Sequence, residues 1–369
     1  VGPDAPKASR NVLGLIEKVG LEIGKQVIKQ RAVSQDIQIM VGGRATHPVW
    51  NIPGGVTRAL TEENRDKIKE LADGQLEFGL FGLKLFDDVV LKNQEYLDLV
   101  TCDVFDQVTN YMGLVDENNK VNFYHGKVRV VDHEGNEIIR YSEPEYLEHI
   151  AEHVEPYSYL KFPYLKERGW NGFVEGPGTS LYQANPLPRL NAADGMATPK
   201  AQEHYEKMYD TLGGKPCHKL MVNHWARLIE IVYAAERMVE LINDEEITDP
   251  NVRVIPSTTP TEGVGIVEAP RGTLTHHYWT DENGIVTKAN LIVGTTNNNA
   301  SISMAIKKAA EKLIKPGGEV SDGLLNMVEM AFRLYDPCFS CATHSLPGQM
   351  PMVVEIISGQ GEVLNRISR

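Results

Sequence analysis

The 369-residue chain, 42% hydrophobic, is long enough to bury one large core or two ordinary ones. Its net charge of −13 argues against nucleic-acid binding, which needs a basic face to neutralise phosphates. No apolar run approaches the roughly 18 residues of a membrane-crossing helix, so no membrane span is expected.

Apolar spacing through Leu13, Ile16, Ile23 and Val27 predicts a helix over residues 10–40, interrupted by Val41-Gly42-Gly43 and again by Pro53-Gly54-Gly55. Thr61 followed by Glu62 and Glu63 reads as a cap with an acidic first turn, opening a long helix to about Val100. Over 121–141 the period changes, and Asp132-His133-Glu134-Gly135-Asn136 reads as the turn of a β-hairpin. Residues 156–199 are dense in Pro and Gly and predict a long irregular stretch of the kind that serves function or an interface. Trp225, Leu228, Ile229 and Val232 predict a helix over 217–243. A β region follows over 263–294, with a turn at Thr280-Asp281-Glu282-Asn283-Gly284. Helices near 299–314 and 321–335 come next, and the second leads directly into Asp336-Pro337-Cys338. The tail, 351–367, alternates around Gly359-Gln360-Gly361 like a short hairpin. The fold class expected is mainly α with small β insertions (α+β).

Four cysteines are too few for a secreted disulfide framework. Cys102 and Cys217 stand alone and are expected as buried, inert thiols. Cys338 and Cys341 form a Cys-x-x-Cys pair, which can share a metal or close a disulfide. On spacing alone three readings compete. A thioredoxin-like redox pair sits between a strand and a following helix, whereas here a helix comes first and Pro347-Gly348 resists another. Zinc takes four ligands; Cys338, Cys341 and His344 supply three, and no second pair completes the set. A soft-ligand nickel and iron site also suits thiolates.

The flanking residues bear on that choice. Asp336-Pro337-Cys338-x-x-Cys341-x-x-His344 resembles the C-terminal signature of nickel–iron hydrogenase large subunits. Glu262-Gly263-Val264-Gly265-Ile266-Val267-Glu268-Ala269-Pro270-Arg271-Gly272 is similar to a second active-site segment of that family, and Leu291-Ile292-Val293-Gly294-Thr295-Thr296-Asn297-Asn298 to a third. His47-Pro48 and Tyr159-Leu160-Lys161-Phe162-Pro163-Tyr164 are also family-like, so the resemblance runs nearly end to end. Within the family it points to cytoplasmic group 3 enzymes of the methyl-viologen-reducing (deazaflavin-non-reducing) type, with the NAD-reducing bidirectional type second.

The resemblance implies a large-subunit-like helical bundle and assigns roles by position. Cys338 would be a terminal nickel thiolate and Cys341 a thiolate bridging nickel and iron. His344 would bind magnesium, helped by the backbone carbonyl of Leu291. Arg271, held by Pro270, would lie over the open side of the metals and be oriented by Asp336. Thr295, with Thr296 beside it, would hydrogen-bond a cyanide on iron, which also carries carbon monoxide. The plain alternatives are a surface salt bridge for Arg271 and ordinary strand composition for Thr295 and Thr296. His276 and His277 are neighbours on a strand, so at most one faces the site and neither is assigned; His224 is expected in the core or at an interface. The implied partners are an iron-sulfur small subunit, further electron-transfer subunits (heterodisulfide reductase or a diaphorase), a maturation protease and a nickel chaperone.

Two departures stand out. The family's N-terminal Arg-x-Cys-x-x-Cys pair, which supplies the other two thiolates, has no counterpart here, and truncation of the N-terminal part is the expectation. Residues 345–369 follow the final His344, so they are expected to be a C-terminal maturation peptide on a hydrogenase domain of residues 1–344. Competing with the enzyme reading are a metal-free structural subunit of a complex I-like assembly and a zinc-stapled interaction module. Because two thiolates cannot build a site that needs four, this purified polypeptide is expected not to oxidise dihydrogen alone; turnover in a hydrogen-dependent dye-reduction assay would overturn that expectation.

Overall fold

The computed structural model describes residues 2, 5–338 and 353–368. Two of the expected metal ligands, Cys341 and His344, lie outside the described residues. The chain divides into two units, Val1–Tyr335 and Asp336–Arg369.

Local capping decides where the N-terminal helices break. Asn11 caps α1 (Val12–Val19) by accepting from the amides of Leu13 and Gly14, and Gly20, at φ +98°, ends it. A second helix, α2 (Leu21–Gly42), starts directly afterwards. The single helix expected over 10–40 is therefore two, because periodicity crosses Gly20 while its backbone does not. A small hairpin, β1 (Asn51–Ile52) and β2 (Gly55–Val56), precedes α3 (Glu62–Phe86). Thr61 caps α3 as expected, its hydroxyl oxygen accepting from the Asn64 amide at 3.2 Å. This helix does not continue to Val100. It passes into a π-helical turn over Asp87–Leu91, and Asn93 then caps a new helix, α4 (Gln94–Thr101).

A four-stranded sheet is built from β3 (Asn110–Val115), β4 (Lys127–Val131), β5 (Glu137–Tyr141) and the short β8 (Tyr182–Gln183), in the order β5-β4-β3-β8. The β4–β5 pair is the expected hairpin. Between β5 and β8 lie the one-turn helix α5 (Tyr146–His149) and the antiparallel pair β6 (Ile150–Val154) and β7 (Lys161–Leu165). The stretch expected to be irregular thus contains strands, and it also contains α6 (Pro186–Ala192), buried at every residue. Pro186 stands at the start of that helix, where a missing N–H costs nothing. Its prolines therefore concealed a helix.

Next come α7 (Pro199–Leu212) and α8 (Asn223–Ile242), the latter shorter at its start than the expected 217–243. The β region is a three-stranded antiparallel sheet of β9 (Glu262–Ala269), β10 (Gly272–Thr280) and β11 (Val286–Ile292), with β10 central. The helices α9 (Asn299–Leu313) and α10 (Asp322–Arg333) follow as expected. In the C-terminal unit, β12 (Val353–Ile357) and β13 (Val363–Ser368) form the expected tail hairpin.

The main apolar core gathers around Trp225, Ile229 and Val232 of α8, with Leu83, Met208, Val328 and Leu334 packed into the same cluster. A second cluster joins the two larger sheets through Met112, Val130, Tyr182, Ile266 and Ile292. The end of α10 is fixed in the first of these. Tyr335 is 1% exposed, and its hydroxyl donates to Gln107 Oε1 at 3.1 Å with Gln183 Oε1 at 3.3 Å. Tyr335→Phe would strip a donor from two buried amide oxygens, so a loss of about 1–3 kcal/mol of unfolding free energy is expected in urea denaturation.

Candidate active site

The turn between β9 and β10 consists of Pro270 and Arg271, closed by the pair Ala269↔Gly272. Gly272 has φ +146°, and a Cβ there would stand 2.2 Å from the Ala184 carbonyl oxygen and 2.6 Å from that of Gly294. Gly294, just beyond β11, is tight but less so: its Cβ would lie 3.0 Å from the Gly272 nitrogen and 3.2 Å from the Arg271 Cβ. Two backbones therefore meet without a side chain between them. That contact sets the Pro270–Arg271 turn against the segment that runs from Gly294 into Thr295 and Thr296. Arg271, Thr295 and Thr296 are half-buried, and the Thr296 amide donates to Val293 O at 2.9 Å.

Three successive carbonyls of the turn are held by side chains from elsewhere. Arg189 Nη1 donates to Ala269 O at 2.7 Å, and Arg189 Nη2 and Arg227 Nη1 each reach Pro270 O at 3.4 Å. Asn298 Nδ2 donates to Arg271 O at 2.9 Å, while its Oδ1 accepts from the Ala184 amide at 2.9 Å. Asn297 works further along, donating to Thr273 O at 2.6 Å and accepting from the Tyr182 hydroxyl at 2.8 Å. Arg227 also donates through Nη2 to Leu334 O at 2.9 Å, at the end of α10.

Arg189 is itself fixed by two carboxylates. Glu230 accepts from its Nε at 2.7 Å and its Nη2 at 2.6 Å, and Glu268 accepts from its Nη1 at 2.9 Å. Side-chain exposures of 1% for Arg189, 7% for Glu230 and 1% for Glu268 make this a buried ion triad. Burial opposes the Arg189 charge, yet Glu230 and Glu268 outweigh it and hold the guanidinium above its ordinary range. Burial pushes the Glu268 carboxyl up, against the pull of Arg189 and of the Leu114 amide, which donates to it at 2.7 Å. A cavity of about 300 Å³ borders the turn, lined by Phe123, Arg189, Arg227, Glu230, Glu268 and Pro270 among others. A larger one, about 700 Å³, lies elsewhere, among apolar residues of α2, α3 and α8. Its lining offers no motif residue, so size does not mark the site here.

The remaining expected residues fall as follows. Leu291 pairs with His276 across the β10–β11 ladder, its side chain exposed. His277 faces inward, between the Tyr146 hydroxyl at 2.9 Å and Glu262 Oε1 at 2.8 Å, while His276 faces the other way beside Tyr278. Neither histidine belongs to the turn. His224 is exposed on the first turn of α8, which removes the core reading for it. Asp336 and Cys338 belong to the C-terminal unit, where Asp336 has φ +51°. The members of the ion triad, Asn297, Asn298 and Arg227 were not singled out from sequence. The signal for Glu268, Asn297 and Asn298 was inside the quoted motifs; Arg189 and Glu230 are brought to Glu268 only by the fold.

The donor set for a nickel–iron pair is testable on the cysteines. Cys217 is buried and its thiol is pushed up to about 11 by burial, which keeps it protonated and inert. Cys102 is half-buried and packs against the main core. Among the described residues no group of three or more His, Cys, Asp or Glu could hold a metal. Neither Cys217 nor Cys102 is therefore placed as a thiolate ligand for such a pair.

Known proteins bear out the resemblance. The nickel-dependent hydrogenase family matches residues 84–344. The chain is 50% identical over 367 residues to an F420-non-reducing hydrogenase iron-sulfur subunit of Archaeoglobus profundus, covering 100% of this chain and 75% of that protein. It is 37% identical over 376 residues to the beta subunit of the NAD-reducing hydrogenase HoxS of Cupriavidus necator, covering 100% and 74%. Among solved structures, an NAD+-reducing NiFe-hydrogenase in the H2-reduced state matches with a TM-score of 0.84 at 31% identity, over 93% of this chain and 73% of that one. The chain belongs to the nickel-dependent hydrogenase family and has the large-subunit fold of these dihydrogen oxidoreductases. It spans about three quarters of the length of the relatives it matches.

Removing Arg189 would leave Glu230 and Glu268 buried without a counter-charge. Arg189→Met is therefore expected to lower stability by about 3–5 kcal/mol, read as a shifted midpoint in chemical denaturation.

Proposed function

We propose that this chain is the catalytic large subunit of a nickel–iron hydrogenase of the F420-non-reducing type, oxidising dihydrogen reversibly in the cytoplasm. Electrons would pass to an iron-sulfur small subunit, then to heterodisulfide reductase. The observation that carries this reading is the Pro270–Arg271 turn seated on Gly294-Thr295, in a chain that also keeps Asp336-Pro337-Cys338 and Cys341. The retained thiols and guanidinium speak against a metal-free structural subunit. Identity favours the F420-non-reducing relatives over the NAD-reducing one, 50% against 37%.

On this reading Cys338 and Cys341 would hold nickel and iron together with two further thiolates. His344 and the Leu291 carbonyl bind magnesium. When bound, the metal pair, with the cyanide and carbon monoxide the family reading gives its iron, would supply the Lewis acidity for heterolytic splitting of dihydrogen. Arg271, aimed by Pro270 and Asp336, fixes small anionic ligands through charge-assisted hydrogen bonds, and Thr295, with Thr296 next to it, donates to a cyanide. Residues 345–369 are a maturation peptide, removed by a dedicated protease after a nickel chaperone has acted. That division is supported by the family match, which ends at residue 344.

The native complex is the place to test this. It is expected to contain nickel and iron together, to reduce viologen dyes with dihydrogen, and to carry this subunit ending at His344 by mass spectrometry. Arg271→Lys in that complex is expected to cut turnover by about 100-fold with metals retained. Zinc alone, or no metal, in a fully assembled native complex would overturn the reading.

A further inference from the structure

We propose that Arg227 is a positioning residue, a strut that ties the Pro270–Arg271 turn to the end of α10. Its importance for activity rests on the function proposed above; its mechanical role does not. Arg227 extends from α8, where Trp225 and Ala226, 1% and 0% exposed, fix the orientation of the helix. Its fork divides: Nη1 reaches Pro270 O at 3.4 Å and Nη2 reaches Leu334 O at 2.9 Å. The planar guanidinium reaches the two carbonyls with separate nitrogens held at a fixed spacing, whereas an ammonium would have to meet both from a single atom.

Both ends of the strut need a donor. The carbonyls of the last helical turn have no intrahelical partner, and Leu334 caps α10, so a cation there satisfies an orphan acceptor and the helix dipole together. Pro270 O lies outside the β9–β10 ladder and receives Arg189 and Arg227 from two helices. Glu230, one helical turn beyond Arg227, holds Arg189, so α8 grips the turn twice from one face. Leu334 is itself fully buried and is followed by the anchored Tyr335. The backbone presenting Arg271 and the backbone that continues into Asp336-Pro337-Cys338 are thereby registered against each other before the second of them leaves α10. Arg227 is half-buried and lies outside the ion triad, so it can be changed without emptying the core.

Hydrogen–deuterium exchange on the full 369-residue chain tests the strut without any metal. Arg227→Gln is expected to speed exchange about tenfold in two separated segments, 266–274 and 328–335, while α7 and the four-stranded sheet keep their rates. Arg227→Lys is expected to restore one segment at most. In the metal-loaded complex, Arg227→Gln is expected to lower dihydrogen oxidation by about 100-fold at unchanged nickel and iron content, with a displaced pH profile. Unchanged exchange in either segment overturns the proposal, as does acceleration spread evenly over the chain or turnover lost only in step with lost metal. Arg271→Lys runs beside it. If that variant keeps full turnover the functional reading fails, whereas a damaged Arg271→Lys beside an intact Arg227→Gln sinks the strut alone.

Discussion

Gly272 and Gly294 touch backbone to backbone, and the rest of the site follows from how closely they do so. Each would drive a Cβ into the other's segment, and Gly272 would also meet the Ala184 carbonyl. Because nothing intervenes, main-chain geometry alone sets where the Cα–Cβ bonds of Arg271 and Thr295 start on either side of the contact. Asn298 seals the contact by bonding Arg271 O and the Ala184 amide at once, so three chain segments share one amide side chain.

The ion triad serves the same end at a distance. A buried Arg between two carboxylates contributes little net stability, since desolvating three charges consumes most of the Coulombic gain. What it provides is direction. Glu230 and Glu268 leave Arg189 one orientation, and in that orientation its remaining hydrogens face Ala269 O and Pro270 O. Glu268 lies on the strand leading into the turn, so Arg189 holds that strand through a side chain and the next residue's carbonyl together.

Much of the fold was legible because long apolar periodicities survive folding intact: α8, α9, α10 and the β9–β11 sheet fall where spacing puts them. The misses were local. Gly20 ends one helix and the π-helical turn over Asp87–Leu91 interrupts another while the apolar stripe runs straight past both, and Pro186 starts a helix in a stretch that its prolines made look irregular. In the site, Arg271 and Thr295 were legible through motif, whereas Arg189, Glu230 and Arg227 were not. Arg189 and Glu268 are 79 residues apart, and a lone charge on an apolar helix looks the same in sequence whether it faces water or a buried carboxylate.

The glycine contact also sets what this part of the molecule can become. Position 272 is closed to every residue with a Cβ, by φ and by two carbonyl oxygens, while position 294 admits one only if the Arg271–Gly272 backbone shifts by a few tenths of an ångström. Variation is left to Arg271, Thr295 and Thr296, of which only the Arg271 Cβ borders the seam. A lineage could therefore retune the chemistry at those three positions one substitution at a time while the seam itself stays frozen, and the platform would outlast changes in what it holds.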